Sequence, residues 1–496
     1  MTDKPVRTRF APSPTGPMHI GNLRQALFSW LYSRHYGGQF LVRIEDTDQK
    51  RYVEGSLEYI LGALEWLGLD HDEGPDIGGP HAPYIQSERL GKYQHWANWL
   101  VENDKAYKCF CTSERLERVN EEKRQRKEPP GYDRFCRSLT AEEIAQREAE
   151  GLPYVIRFKM PLEGATVGDD IIHGHIEFPN STLQDMVLLK SDGYPTYHLA
   201  HIVDDHLMEI SHVTRGAEWL PSWPLHIQIY NAFGWEMPIH AHLPLILNPN
   251  GQGKLSKRKE SFDAQGQRVL IKVNEYIEAG YLPDALFNFL ANIGWNYDAE
   301  QEIFSQEEAI SRFELTDVNP SNAAFPIEKL DWLNGHYIRA KSPEELADLL
   351  EPVLKKAGLE SERDQLVAVA AVSQTRIKTL NEFIDLAGFF FRDWSEFEAP
   401  EADLMIQKKM DAADTQRCLE ASISRLENAI DFDHAVLYED FKELAKALDV
   451  KNGQLFGVLR VALTGQTIST PTFETMEILG KEETLRRLRL ALGRFV

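Results

Sequence analysis

Residues 8–48 read TRFAPSPTGPMHIGNLRQALFSWLYSRHYGGQFLVRIEDTD, and the spacing of their apolar residues predicts a strand, a helix and a second strand. A turn rich in proline and glycine follows Phe10, and residues 40–44 (FLVRI) indicate a strand that ends in acids. A strand, a helix and a parallel strand form a βαβ unit, whose ligands lie at the carboxyl ends of the strands. The apolar residues at helical spacing are Leu23, Ala26, Leu27, Trp30 and Leu31.

The remaining sequence predicts several domains, because 496 residues, 43% of them hydrophobic, are too many for one core. Charged helical sequence and then β-rich sequence interrupt the α/β pattern, which indicates an inserted domain. After residue 341 the sequence is almost wholly helical, and it starts with a capping box at Ser342. We therefore expect an α/β domain with an inserted α+β domain, followed by all-α C-terminal domains, with boundaries at 1–96, 97–192, 193–250, 251–340 and 341–496.

Composition excludes some classes of protein. The net charge of −23 argues against a protein that coats nucleic acid by charge alone, although local basic patches can still meet RNA. The start of the chain has no apolar signal region, and no apolar run reaches the roughly 18 residues of a membrane helix. Four cysteines are too few for a disulfide framework. We expect a cytoplasmic protein without a membrane-spanning segment.

The turn after the first strand has the features of a phosphate site. It contains neither a Walker pattern nor GxGxxG, so P-loop and dinucleotide chemistry are not supported. Backbone N–H groups at the start of the following helix attract phosphate, and a histidine there can donate a further hydrogen bond. The residues that this turn offers are Ser13, Thr15, His19, Gly21 and Asn22.

A basic motif, KLSKR at residues 254–258, lies in a loop preceded by Gly251 and Gly253. Its lysines Lys254 and Lys257 can stabilise the charge that develops when a carboxylate attacks an α-phosphate. Taken alone, the motif is also compatible with a solvated basic loop.

Together, the PSPTGPMHIGN turn and the KLSKR loop have the arrangement of class I aminoacyl-tRNA synthetases, and the surrounding sequence resembles bacterial glutamyl-tRNA synthetase. The resemblance extends over nearly the whole chain, and the matching segments occur in the same order as in the family. It includes RIEDTD at 43–48, GALEWLGLDHDEGP at 62–75, VTRGAEWL at 213–220 and FPIEKLDWLNGHYI at 325–338.

The resemblance implies a Rossmann-like catalytic domain, an inserted acceptor-binding domain, a stem-contact domain and a helical anticodon-binding region. It implies ATP-dependent activation of L-glutamate to glutamyl-adenylate, with Mg²⁺, and transfer to the 3′-terminal adenosine of tRNA(Glu). It also implies that productive activation needs bound tRNA. We expect a monomer.

The resemblance also implies roles for single residues. A carboxylate side chain suits the fork of a guanidinium, and an α-ammonium suits an acid. The family's glutamate-binding positions correspond to Arg9, Ser13, Glu45, Tyr197, His201 and Arg215. The ATP-binding positions correspond to Ser13, Thr15, His19, Gly21, Asn22, Glu218 and Lys257, and the catalytic ones to His19, Lys254 and Lys257.

Three positions depart from the usual pattern of the family. His201 stands where members often have Asn or a small residue, and Ala217 where many have Glu. Asn22 replaces the second histidine of the HIGH motif, a position that varies in this family.

The cysteines Cys109, Cys111 and Cys136 resemble the zinc knuckle in the inserted domain of many family members. Zinc needs four tetrahedral ligands. The usual histidine is Ser138 here, whereas Tyr132 matches a tyrosine ligand of some relatives, so a Cys3Tyr zinc site is one interpretation. Three free thiols in a domain that folds without metal are the other.

Four alternatives remain at this point. A tRNA-modifying glutamyl-queuosine synthetase lacks the long helical C-terminal region, and a glutaminyl enzyme carries β-barrels there. A catalytically silent tRNA-binding homologue would not need the intact motif residues. A non-discriminating enzyme would also charge tRNA(Gln), and residues 365–373 lack the arginine that discriminating relatives use.

Overall fold

The structure, a computed structural model, describes residues 5–255, 262, 266 and 268–495. The chain divides into two compact units, Met1–Tyr276 with Leu286–Ile327 and Ile277–Ala285 with Glu328–Val496. Within the described part of the chain, every helix is too short or too polar to cross a bilayer.

The βαβ unit predicted from the opening residues is confirmed. Strand β1 (Arg7–Phe10) is buried along its whole length and pairs in parallel with β2 (Gln39–Val42), with Arg9 opposite Leu41. Helix α1 (Ile20–His35) connects them, and α2 (Ser56–Leu67) follows. Each fully buried aliphatic side chain of α1 contributes about 1.5–3 kcal/mol to stability. Its fully buried aliphatic residues are Ile20, Leu23, Leu27 and Leu31.

The remaining strands of the first unit form two larger sheets and a short pair. Antiparallel β3, β4 and β7 form one sheet, and the second has the order β6-β5-β9-β8. The strands are β3 (Ala106–Cys109), β4 (Val155–Phe158), β5 (Ala165–Asp170), β6 (Gly174–Pro179), β7 (Val187–Leu189), β8 (His212–Gly216), β9 (Ile239–Leu243), β10 (Ile246–Leu247) and β11 (Ala323–Ala324). The helices between residues 90 and 340 are α3 (Leu90–Glu102), α4 (Ser113–Gln125), α5 (Ala141–Ala149), α6 (Tyr197–Leu207), α7 (Trp223–Phe233), α8 (Val273–Glu278), α9 (Pro283–Ala291), α10 (Gln306–Arg312) and α11 (Ile327–Ala340).

The sheet that contains β8 matters most for the site. Strands β8 and β9 run parallel with Arg215 opposite His242, and β5 joins the edge of β9 where Asp170 pairs with His240. Although 165–179 falls in the stretch expected to form the inserted domain, the β5–β6 hairpin is thus hydrogen-bonded to the sheet that carries Arg215.

The second unit confirms the all-α C-terminal region. Helix α12 (Pro343–Lys356) starts with the predicted capping box, because the Ser342 hydroxyl accepts from the Glu345 N–H and the Glu345 carboxylate from the Ser342 N–H. It ends just before Gly358, whose φ of +73° favours glycine. The following helices are α13 (Arg363–Ser373), α14 (Glu382–Ala387), α15 (Ala402–Met405), α16 (Ala412–Glu427), α17 (His434–Ala447), α18 (Asn452–Thr464) and α19 (Thr472–Leu492).

Candidate active site

Two adjoining cavities open at the carboxyl ends of the parallel strands of the first unit. The larger, of about 810 Å³, is lined by Arg9 at the end of β1, Glu45 after β2 and Arg215 near the end of β8. Tyr197, the first residue of α6, and Ser13 also line it. The smaller, of about 350 Å³, shares four lining residues with the larger one, so the two adjoin. The shared residues are Thr15, Asn22, Gln25 and Glu218.

His19 caps α1 and faces the smaller cavity. Its Nδ1 accepts a hydrogen bond of 2.9 Å from the Gly21 N–H, so in the neutral ring the proton lies on Nε2. A Cβ at residue 21 would lie only 3.1 Å from that Nδ1, which favours glycine there. The ring is therefore a hydrogen-bond donor at the positive end of the helix, where an anion is stabilised.

Lys254 and Glu218 face each other across the smaller cavity. The Lys254 ammonium lies 2.5 Å from Oε1 of Glu218, and about half of each side chain is exposed to solvent. An exposed pair of this kind contributes less than about 1 kcal/mol, so it can open when a phosphate competes for the lysine. Lys257 lies outside the described residues.

Arg9 and Glu45 are joined by one buried ion network. Nε of Arg9 donates to Oδ1 of Asp205 at 3.2 Å, and Nη1 of Arg43 donates to the same oxygen at 2.8 Å. The other end of the Arg43 guanidinium donates to Oε1 of Glu45 at 3.0 Å. Because Arg43 is fully buried, its guanidinium group holds the Arg9–Asp205 pair and the Glu45 carboxylate at a fixed distance from each other.

Glu45 has an altered acidity. Burial raises the pKa of its carboxyl to about 7, and the nearby guanidinium groups of Arg43 and Arg9 only partly oppose this. A cation that enters beside Glu45 would favour the ionised form and lower the pKa again.

Arg215 is 2% exposed, lines the larger cavity and keeps donors that are not fully used. Its Nε donates to Nε2 of His242 at 3.0 Å, and its Nη1 lies 3.5 Å from the Tyr197 hydroxyl. Its buried Nη2 has no hydrogen-bond partner among the residues that the structure describes. An unpaired buried guanidinium N–H is costly, so the position favours an incoming carboxylate.

His201 lies behind the cavity rather than in its lining. Its ring stacks on Tyr197 with centroids 4.4 Å apart, and its Nδ1 donates to the Tyr197 carbonyl at 2.7 Å. Burial lowers the pKa of His201 well below its usual value, so the ring is neutral. On the opposite side, Trp219 packs on Tyr197 at 4.1 Å and does line the cavity. Ala217, two residues before Trp219, is absent from the lining of both cavities.

Sequence reasoning missed the residues that hold the site residues in place. Arg43 and Asp205 support Arg9 and Glu45, whereas His242 supports Arg215. The runs HIVDDH (residues 201–206) and HAHLPL (residues 240–245) place charged or titratable residues among apolar ones, which was the available signal. A buried charge needs a partner.

The predicted cysteine cluster forms. The Sγ atoms of Cys111 and Cys136 lie 3.5 Å apart, and the Tyr132 hydroxyl lies 3.3 Å from Sγ of Cys109 and 3.7 Å from Sγ of Cys111. Zinc with Zn–S bonds of about 2.3 Å holds its ligand atoms about 3.8 Å apart in a tetrahedron. The spacing of these four side chains fits such an ion.

Comparison with known proteins finds relatives over nearly the whole chain. Residues 5–332 match the family of class I tRNA synthetases (E and Q), catalytic domain, and residues 345–492 match the anticodon binding domain family. Glutamate–tRNA ligase of Dehalococcoides mccartyi (strain CBDB1) is 48% identical over 99% of this chain and 97% of its own length. Glutamate–tRNA ligase of Roseiflexus sp. (strain RS-1) is 48% identical over 98% of this chain and 96% of its own length.

A solved structure agrees as well. The crystal structure of a glutamate tRNA ligase from Elizabethkingia meningosepticum in complex with its amino acid has a TM-score of 0.86, is 38% identical and covers 99% of this chain and 100% of its own. The chain therefore belongs to the class I aminoacyl-tRNA synthetases, and among them to the glutamate–tRNA ligases.

Proposed function

We propose that this chain activates L-glutamate with Mg²⁺-ATP and transfers the glutamyl group to the 3′-terminal adenosine of tRNA(Glu). The observation that supports the amino-acid substrate is the lining of the larger cavity, where Arg9 and Arg215 lie with Glu45. Two guanidinium groups and one carboxylate complement an amino acid that has an acidic side chain. The guanidinium groups bind the side-chain carboxylate, and Glu45, with Tyr197 beside it, receives the α-ammonium.

The smaller cavity takes the ATP. The α-carboxylate of glutamate attacks the α-phosphorus, which forms the mixed anhydride and releases pyrophosphate. His19 donates from Nε2 to a phosphate oxygen, and Lys254 and Lys257 stabilise the charge that builds on the phosphates. Ser13, Thr15, Gly21 and Asn22 border the nucleotide, and Glu218 binds its ribose or base.

In the second step, a terminal hydroxyl of the tRNA attacks the carbonyl carbon of the adenylate. The new ester carries the glutamyl group, and AMP leaves. The helical region is proposed to read the anticodon. Its about 150 residues, 341–496, are almost wholly helical and contain no motif for small-molecule chemistry. A cytoplasmic location and a monomeric state stay predictions from the sequence, as do the domain boundaries.

Glutamate-dependent exchange of labelled pyrophosphate into ATP, measured with tRNA present, tests the proposed substrate. We expect exchange with L-glutamate and at most background exchange with L-glutamine, because an amide offers the two arginines no charge. Equal exchange with both amino acids would overturn the assignment of the cavity.

The tRNA that accepts glutamate is identified by a second assay. Charging purified tRNA(Glu) and tRNA(Gln) with glutamate decides between a discriminating enzyme and the non-discriminating alternative.

Glutamate binding should depend on pH through Glu45. The ionised carboxylate pairs with the α-ammonium, and the pKa of about 7 means that this form is lost as the pH falls below neutrality. We expect the affinity for glutamate to be constant above about pH 8 and to fall up to about tenfold per pH unit below pH 6. Isothermal titration calorimetry at constant ionic strength measures this.

The Glu45→Gln variant is the control, since it should bind weakly and lose the pH dependence. The other charged groups around Glu45 are Arg43, Arg9 and Asp205. Although burial opposes the charge of Asp205, the guanidinium groups beside it lower the pKa of its carboxyl to about 2. A parent enzyme whose affinity is the same at pH 6 and pH 8 would contradict the proposed role.

We further propose that Cys109, Cys111, Cys136 and Tyr132 bind one structural Zn²⁺, on the strength of their spacing. A structural zinc contributes directly to folding. Protein prepared without chelator should contain about one zinc per chain, and Cys111→Ser should lose it and melt at a lower temperature. Elemental analysis and thermal melting measure both.

The matched control is Cys418→Ser, which changes a buried cysteine of α16 outside the cluster. This variant should keep its zinc. A parent protein without zinc, or one whose melting does not respond to chelator, would leave the three thiols as packing residues.

A further inference from the structure

Arg215 is held from behind by two buried side chains that do not line the substrate cavity. Its Nε donates to Nε2 of His242 at 3.0 Å, and Nδ1 of the same imidazole lies 2.7 Å from Oδ2 of Asp170. His242 is 0% exposed and Asp170 is 3% exposed. The carboxylate, the imidazole and the guanidinium therefore form one buried chain of hydrogen bonds.

The fold brings these three residues together from different strands. Arg215 on β8 and His242 on β9 are direct register partners in a parallel pair, so their side chains point to the same face. Asp170, the last residue of β5, also accepts from the backbone N–H of His242 at 3.0 Å. Its other oxygen accepts from the N–H groups of Ile172 and His173, which fixes the carboxylate in the turn after β5.

The direction of the hydrogen bonds follows from the protonation states. Burial opposes the charge of Asp170, but the hydrogen bonds from His242 and from the backbone outweigh it and lower the pKa of the carboxyl. Burial lowers the pKa of His242 to about 4, so the ring is neutral near pH 7. Its one proton is on Nδ1, facing the carboxylate, and Nε2 is left as the acceptor for Arg215.

This arrangement decides which edge of the guanidinium is available. With Nε engaged by His242, the plane of the guanidinium is fixed, and the two Nη atoms are the donors that Arg215, a residue of the cavity lining, has left. The buried Nη2 has no partner among the described residues, whereas Nη1 has only the long contact to Tyr197. A carboxylate that enters the cavity meets these two donors in the forked geometry that it requires.

We propose that His242 and Asp170 are positioning residues for recognition of the acidic side chain of the substrate, because they orient Arg215 through its Nε. The inference rests on the proposed contact between Arg215 and the glutamate side chain. Selectivity for a carboxylate over an amide then depends on Arg215 in the cavity lining and on His242 and Asp170 behind it. Loss of this orientation should weaken glutamate binding and leave the nucleotide cavity unaffected.

Two amide variants of His242 separate positioning from packing. His242→Asn places its amide near the former Nδ1, so it can still bond Asp170 but cannot reach Arg215. His242→Gln places its amide oxygen near the former Nε2, so it can still accept from Nε of Arg215. Both variants keep a polar, uncharged side chain in the same buried place, and thermal melting checks that each is folded.

In pyrophosphate exchange with tRNA present, we expect His242→Asn to raise KM for glutamate on the order of tenfold and to reduce the preference for glutamate over glutamine. His242→Gln should stay within about threefold of the parent, and KM for ATP should change less than about twofold in both. The inference is contradicted if Asn has no effect on KM for glutamate, if Gln is as impaired as Asn, or if KM for ATP rises in parallel. A variant that fails to fold is replaced by Asp170→Asn, which removes the charge that fixes the proton on Nδ1 and should raise KM for glutamate in the same way.

The Arg215→Ala variant, run in the same series, separates this inference from the proposed function. If Arg215→Ala leaves KM for glutamate unchanged, the proposed substrate contact itself is wrong. If Arg215→Ala is impaired and His242→Asn is not, only the positioning inference fails.

Discussion

Replacing Arg215 by Ala should lower kcat/KM for glutamate by two to four orders of magnitude. The reason is that a buried substrate carboxylate then faces the cavity without its cationic partner, which costs about 3–5 kcal/mol. Arg215 is 2% exposed, so water cannot easily replace the lost donors. Steady-state pyrophosphate exchange with tRNA present measures the loss, and KM for ATP should stay near that of the parent.

Arg215→Lys is the matched control for charge. A lysine keeps the positive charge but loses the fork and the Nε donor to His242, so it should recover only part of the activity. An Arg215→Ala enzyme that activates glutamate as well as the parent would show that the cavity has been assigned to the wrong ligand.

Replacing His19 should have the second large effect. His19→Ala is expected to slow adenylate formation by a factor on the order of 10² to 10³, because one donor to the developing phosphate charge is lost. Glutamate affinity should hardly change, since His19 lines the smaller cavity and not the larger one. Rapid-quench measurement of the adenylate gives the rate of this step.

His19 also caps α1, so the two roles must be separated. His19→Asn can still accept from the Gly21 N–H but cannot reach the phosphate, so it should keep the stability of the parent and lose the same rate as Ala. His19→Gln extends an amide donor toward the former Nε2 and should recover part of the rate. If Asn retains the rate of the parent, His19 acts as a cap and not as a phosphate donor. Lys257→Ala, at a residue outside those described, should slow the same step by a similar factor.

The sequence predicted those parts of the site that depend on residues close together in the chain. The turn after β1 and the acids after β2 follow from hydrophobic spacing and from the position of ligands at the ends of parallel strands. The roles of Arg9, Glu45 and Arg215 came from resemblance to the family, and the structure places all three on one cavity.

The supporting residues could not be predicted in this way. Asp205 lies 196 residues from Arg9 and Asp170 lies 72 residues from His242, so only the tertiary fold brings each pair together. His201, whose role at glutamate stays a prediction from the family, stacks on Tyr197 and is absent from the lining of the cavity. Local sequence does not encode such packing.

The two adjoining cavities are proposed to make glutamyl-adenylate for transfer to tRNA. Incorporation of labelled L-glutamate into purified tRNA(Glu), with Mg²⁺-ATP and the full chain, tests it most directly. We predict an acid-stable, alkali-labile label on the 3′-terminal adenosine, formed only when ATP is present and formed at least about a hundredfold more slowly by Arg215→Ala. Absence of label on tRNA(Glu) with folded parent enzyme, or labelling that does not require ATP, would contradict it.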